Sequence, residues 1–260
     1  MGKKQQLGFI FLTLMLLIGC RQEPVDCPPV PPAPRGQLNG LISEDSPIQF
    51  PLDDYTVRGL FESFSNSGVF ENKRHAAEDM GAVPGTAVYA IADGEISFSG
   101  EKGGYGLLII INHPQINTYS LYGHLSPSRW HRGTGPVAKG DLIAYLGDSD
   151  ENGSSAKYGK IYPHLHFGIR QGQRTDYPAS GDWRWTAGWT YACPSEIGWL
   201  QPSQFIVNHE EMNRQALQAP AGAGWRRVAY QVFLGVWFKA VAANSIRIYR
   251  KKKRIQEGEK

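Results

Sequence analysis

The chain has 260 residues, 41% hydrophobic and 20% charged, with a formal net charge of +3. This composition excludes a disordered or collagen-like chain, and the charge is too small to argue for a nucleic-acid partner. Thirty glycines and 12% aromatic residues point to a turn-rich β protein, long enough for one or two domains with a real core.

Lys3 and Lys4 precede an apolar run from Leu7 to Ile18, broken only by Gly8 and Thr13. A basic start and a short apolar stretch read as a secretory signal peptide over 1–19, too short for a spanning helix. Leu17-Ile18-Gly19-Cys20 resembles the lipobox of bacterial lipoproteins. The resemblance implies cleavage before Cys20 and lipid attachment to its thiol, which anchors the protein to a membrane. Arg21 stands where aspartate marks inner-membrane retention, so the expected location is the periplasmic face of the outer membrane. Residues 20–36, rich in proline, read as an extended spacer. Cys27 and Cys193 are then an even pair in an oxidising compartment, which admits a disulfide pinning the linker to the domain.

The domain expected over 37–208 opens near Phe50-Pro51-Leu52. Ala87–Ile91 is apolar and β-prone. Asp93-Gly94 reads as a hairpin turn, and Glu95–Ser99 alternates polar and apolar residues. Leu107–Ile111 reads as a buried strand, and Thr118–Tyr122 and Leu142–Leu146 as two more. A glycine-containing loop over 147–159 leads to the strand carrying Tyr162-Pro163-His164-Leu165-His166-Phe167. Short strands with frequent turns predict an all-β sandwich or barrel. Pro202–Ile206 is expected to close the domain.

The remaining 209–260 reads as a helical, basic extension. Glu210–Leu217 fits a short helix, and Ala219–Gly224 fits a hinge. Trp225–Asn244 is strongly apolar, with Arg227, Gln231 and Lys239 on one narrow stripe. That pattern fits a helix in a membrane interface and equally one packed on the domain. Arg250–Arg254 is a basic run suited to solvent, anionic lipid or cell-wall polymer.

In a strand His164 and His166 share one face, with Leu165 on the other. Two imidazoles on a rigid strand begin a metal site. His75 and Asp79 lie four residues apart and offer an imidazole nitrogen and a carboxylate oxygen. With His166 they make two histidines and one aspartate. Three protein ligands with a position left for water are the pattern of a catalytic zinc. A zinc hydrolase also needs a group that moves protons, and His124 and His164 are the candidates. His113 is expected to fix a turn, while His131 and His209 are left unassigned.

Three blocks, His75-x-x-x-Asp79, His124, and His164-Leu165-His166, resemble the lysostaphin/LytM-type zinc endopeptidases of bacterial cell walls. Pro84–Ala90 followed by Ala92-Asp93-Gly94 resembles the family's first hairpin, and Gly103-Gly104-Tyr105-Gly106 and Val137–Asp141 also fit. The resemblance runs from about Phe50 to Phe205. It implies an antiparallel β fold with a groove over one sheet, a barrel-sandwich hybrid. It implies Zn2+ held by His75, Asp79 and His166, with His124 and His164 as the catalytic pair. It implies hydrolysis of peptide bonds in peptidoglycan stems or cross-links. Expected partners are peptidoglycan, a membrane through Cys20 and the tail, and a regulatory protein. Some members have lost their ligands and activate cell-wall amidases instead, so a non-catalytic binding module or activator is the alternative. All five functional positions are filled here, which favours an enzyme. The chain departs from the family at Ala77, at Leu107 and in the long loop before Pro163.

Overall fold

A computed structural model describes residues 26–33, 42–151 and 162–218. The expected signal peptide, Cys20, most of the loop before Tyr162 and the extension beyond residue 218 lie outside the described residues, as does the apolar Trp225–Asn244 segment. The strands are β1 (Val57–Gly59), β2 (Phe64–Ser65), β3 (Lys73–His75), β4 (Glu78–Gly81), β5 (Ala87–Tyr89), β6 (Gly94–Lys102), β7 (Gly106–His113), β8 (Thr118–Leu125), β9 (Gly135–Val137), β10 (Leu142–Tyr145), β11 (His164–Gln171), β12 (Trp189–Thr190) and β13 (Trp199–Leu200). One helix, α1 (Pro202–Gln218), follows them.

The main sheet runs β1-β4-β11-β8-β7-β6-β9, with β13 joining β11, and its pairings are antiparallel. β5 pairs β10, and β12-β3-β2 form a small third sheet. The expected antiparallel β fold is therefore present.

Both faces of the main sheet are covered, which explains the apolar run in β7. Leu107, Ile109 and Ile111 face one core with Tyr122, Leu165, Phe167 and Ile143. Leu108 and Ile110 face a second core with Tyr119, Leu121, Ile197 and Trp199. A strand buried on both faces shows no alternation to read.

One expectation is corrected. Asp93-Gly94 is not a hairpin turn, because β5 pairs β10 while β6 pairs β7 and β9. The chain passes between sheets at Ala90–Ile91, where the Ala90 N–H bonds the Asp141 carbonyl at 2.9 Å and the Ile91 N–H bonds the Tyr122 hydroxyl at 3.1 Å. Gly94 is needed for close approach, since a Cβ there would sit 2.2 Å from the Asn112 carbonyl oxygen. Pro202–Ile206, expected to close the domain, packs on the main core as helix. It is the first part of a continuous 17-residue helix that runs through residues 208 and 209. Proline suits that first turn, and Ile206 is fully buried in the main core.

Cys27 and Cys193 are joined in a disulfide. It fixes the described part of the proline-rich segment against the domain, where Val30 packs on the second core.

Candidate metal centre and groove

β3 and β4 are separated by a corner of two fully buried alanines, Ala76 and Ala77. The corner turns His75, at the end of β3, toward Asp79 in β4. β11 lies beside β4 with His166 directly opposite Asp79. Its alternation sends Leu165, Phe167 and Ile169 into the main core and turns His164 and His166 to the other face. β8 flanks β11 with Gly123 opposite His166, which brings His124 alongside.

Three donor atoms converge here. His75 Nε2 lies 3.3 Å from Asp79 Oδ1, His166 Nδ1 lies 3.0 Å from the same oxygen, and the two ring nitrogens are 3.2 Å apart. Donors around one tetrahedral ion with bonds of about 2.0–2.1 Å are separated by roughly 3.3–3.4 Å. The surroundings of His75 orient it as a candidate ligand. Its Nδ1–H donates to the Leu60 carbonyl at 3.2 Å, so its Nε2 lone pair faces inward. A single proton can bridge only one edge of this triangle, whereas one cation satisfies all three donors. The donor set fits a divalent metal, and His75, Asp79 and His166 are the group among the described residues that can hold one.

The electrostatics point the same way. Burial opposes charge on Asp79, but the neighbouring His75 and His166 hold its carboxyl well below the usual range. Burial works against the charged form of His75, yet Asp79 outweighs it and raises the pKa. His166 is lowered, because burial prevails over its bond to Asp79.

His164 and His124 stand beside the triangle. His164 Nδ1–H donates to the Tyr162 carbonyl at 2.6 Å, and its Nε2 lies 3.7 Å from Asp79 Oδ1. The His124 ring meets His164 in a T-shaped contact at 4.5 Å and His166 at 5.9 Å. His124 has a φ of +63°, in the left-handed region that non-glycine residues rarely occupy. This strain, about 1–2 kcal/mol, is held by backbone bonds from His124 N–H to Tyr105 O at 2.7 Å and from Gly147 N–H to His124 O at 3.0 Å.

The histidines open onto a groove of about 310 Å³. Other residues lining it, absent from the sequence reading, are Phe70, Lys73, Arg184, Gly188 and Trp189. Trp189 pairs across from His75 in the small sheet and is stacked on Phe70 at 4.7 Å. A Cβ at Gly188 would meet the Tyr105 hydroxyl at 2.6 Å and His166 Nε2 at 3.3 Å, so glycine lets the backbone pack closely against both. Tyr105 lines the groove and donates to the Thr186 carbonyl at 2.9 Å, while Tyr122 is a core residue.

Two buried groups hold the framework. Glu78 accepts bonds from Tyr55 OH at 2.9 Å, Ser203 N–H at 2.9 Å and Ser203 Oγ at 2.7 Å. It ties β4, the strand that carries Asp79, to the start of α1, where a carboxylate complements the helix dipole. Arg170 lies fully buried on the histidine-bearing face of β11. It donates to the carbonyls of Ile197, Trp183 and Arg184 at 2.7–3.2 Å and is stacked over Tyr177. It thereby fastens the irregular segment that carries Arg184, Gly188 and Trp189. His113, His131 and His209 all lie outside the cluster.

Residues 73–178 match the model of Peptidase family M23. The chain is 36% identical over 96 residues to the DD-carboxypeptidase/endopeptidase Mpg of Neisseria meningitidis serogroup B, covering 37% of this chain and 20% of that protein. It is 37% identical over 95 residues to the murein hydrolase activator EnvC of Escherichia coli K12, covering 36% and 20%. The matched region spans about a fifth of the length of these curated relatives. The catalytic domain of lysostaphin from Staphylococcus simulans is similar at 21% identity, covering 58% of this chain and 92% of that one, with a TM-score of 0.41. Residues 73–178 of this chain thus form a Peptidase family M23 domain.

Proposed function

We propose that the groove is the active site of a zinc-dependent endopeptidase that hydrolyses peptide bonds in peptidoglycan stems or cross-links. The observation that carries this is the convergence of His75, Asp79 and His166 within 3.3 Å of one another, with His124 and His164 beside them on an open groove. When bound there, zinc supplies a Lewis acid for the scissile carbonyl and makes water a stronger acid. His164, with Nδ1 committed to the Tyr162 carbonyl, presents Nε2 to take a proton from the attacking water and return it to the leaving amine. His124, held rigidly by its strained backbone, orients that water and donates toward the developing oxyanion. The Phe70–Trp189 stack offers the groove an apolar wall.

The substrate assignment is supported by the relatives, one named as a DD-carboxypeptidase/endopeptidase and one as a murein hydrolase activator. In this reading the protein is anchored by acylated Cys20 at the periplasmic face of the outer membrane, and the proline-rich segment spaces the peptidase from the bilayer. The likeness to an activator favours a second reading, in which the domain binds the wall and switches on another hydrolase. The two separate on digestion of purified peptidoglycan by the full chain, with zinc and with a chelator, read by mass spectrometry. Release of peptide fragments that the chelator abolishes is the expected result. Intact peptidoglycan in the presence of bound zinc overturns the peptidase reading in favour of the activator.

A further inference from the structure

Resting on the peptidase reading of the groove, we propose that Lys73 and Arg184 form a subsite for a substrate carboxylate lying one or two residues from the scissile bond. Both side chains line the same groove as His124, His164 and His166. Asp79 is the acid in that lining, and its carboxylate is taken up by the histidines. Neither Lys73 nor Arg184 has a carboxylate partner among the described residues.

Both cations are half-buried and held in place, unlike solvated surface charges. Arg184 Nε donates to the Thr186 carbonyl at 3.5 Å, the same oxygen that accepts the Tyr105 hydroxyl at 2.9 Å. Its backbone carbonyl is gripped by Arg170 at 2.9 Å, and its N–H bonds Gly181 O at 3.1 Å. The terminal nitrogens of the guanidinium have no partner among the described residues and remain as a fork suited to two carboxylate oxygens. The Lys73 ammonium lies over the Tyr191 ring at 5.1 Å.

Spacing sets where the anion belongs. Lys73 and His75 are two residues apart on β3 and therefore share a face, about 6.6–6.8 Å apart along the strand. An extended peptide lying along the groove has the same repeat. A carboxylate on its C-terminus, or on a side chain near the bond, then reaches the cations while the scissile carbonyl sits over the metal ligands. The ligand class is a short peptide bearing a free carboxylate, and its amide is the natural comparison.

The test is calorimetric titration of the full chain, with and without bound zinc, using two peptide pairs. Acetyl-trialanine as free acid or C-terminal amide probes a terminal carboxylate. Acetyl-Ala-Glu-Ala-amide against acetyl-Ala-Gln-Ala-amide probes a side-chain one. At least one acid is expected to bind about ten-fold or more tightly than its amide counterpart, as for a charge-assisted pair. Arg184→Gln and Lys73→Gln should each remove most of that preference with zinc content unchanged, and Arg184→Lys should restore it in part. Acids and amides that cannot be told apart, whether both bind or neither does, would overturn the subsite, as would a preference that survives both glutamine variants. Acid-selective binding without chelator-sensitive cleavage of peptidoglycan would keep the subsite and overturn the peptidase reading, so the two fail separately.

Discussion

His113 is fully buried at the end of β7, with Nδ1 at 2.9 Å from the Asp93 carbonyl and Nε2 at 2.7 Å from Ser120 Oγ. It links the crossover before β6 to the central strands and makes no side-chain bond to the turn that follows it. Burial pushes its pKa down to about 4, so the folded protein holds it neutral. The unfolded chain binds a proton near pH 6.5 and the folded chain does not, so stability falls with pH through this window. The contribution is fully present above about pH 6.5 and is lost progressively as pH drops toward 4, on the order of 3 kcal/mol. Urea melts at pH 7 and pH 4.5 should show this loss, and His113→Gln should flatten that part of the profile. An unchanged slope in the variant would assign the acid sensitivity elsewhere. The convergence of His75, Asp79 and His166 was legible because candidate ligands are written in residue type and spacing. Their supports were not: the carbonyls of Leu60 and Tyr162 that set the ring tautomers are backbone atoms, present at every residue.

Among the elements, the strands with clear boundaries were readable, and β7, β8 and β11 each contain the stretch expected. Partner choice was not. β5 and β6 are consecutive and separated by Asp-Gly, a strong local hairpin signal, yet each pairs elsewhere. The local preference of a turn is worth about 1 kcal/mol, and burial of Ile91 and Ile96 in the main core outweighs it. Gly94 is the residue this crossover depends on. Gly94→Ala places a methyl against the Asn112 carbonyl and the His113 ring, backbone and buried groups that cannot step aside. A loss of about 1–3 kcal/mol in chemical denaturation is expected, and a neutral result would show that the β6–β7 pair can shift. The first turns of α1 were hidden for a different reason. Pro202–Ile206 is too short to display a helical period, and its helix is fixed by the non-local bonds from Ser203 to Glu78. The segment holding Arg184, Gly188 and Trp189 has no period at all. Its position is set by Arg170, which sits on the same strand face as the metal-site histidines.

For the whole molecule, the disulfide between Cys27 and Cys193 closes a loop with a sequence separation of 166. Restricting the unfolded chain over such a loop stabilises the fold by up to about 5 kcal/mol on chain entropy. The bridge also fastens the segment that leads from the proposed lipid anchor directly to the loop region that builds one wall of the groove, through Pro194, Ser195 and the Ser195–Glu62 bonds. Cys27→Ser should lower the melting temperature and leave the stoichiometry of zinc binding unchanged, because none of the three ligands lies on the tethered segment. Loss of zinc binding in that variant would show that the tether shapes the metal centre itself.

The most direct test of the account is the zinc-to-protein ratio measured beside peptidoglycan turnover for the wild type, His166→Ala and His124→Ala. The wild type is expected to bind one zinc and cleave. His166→Ala should bind none and be inactive, whereas His124→Ala should keep its zinc and lose turnover by about 10²–10⁴-fold. Equal loss of zinc in both variants, or full turnover in either, would contradict the division between metal ligands and proton-handling histidines on which the account stands.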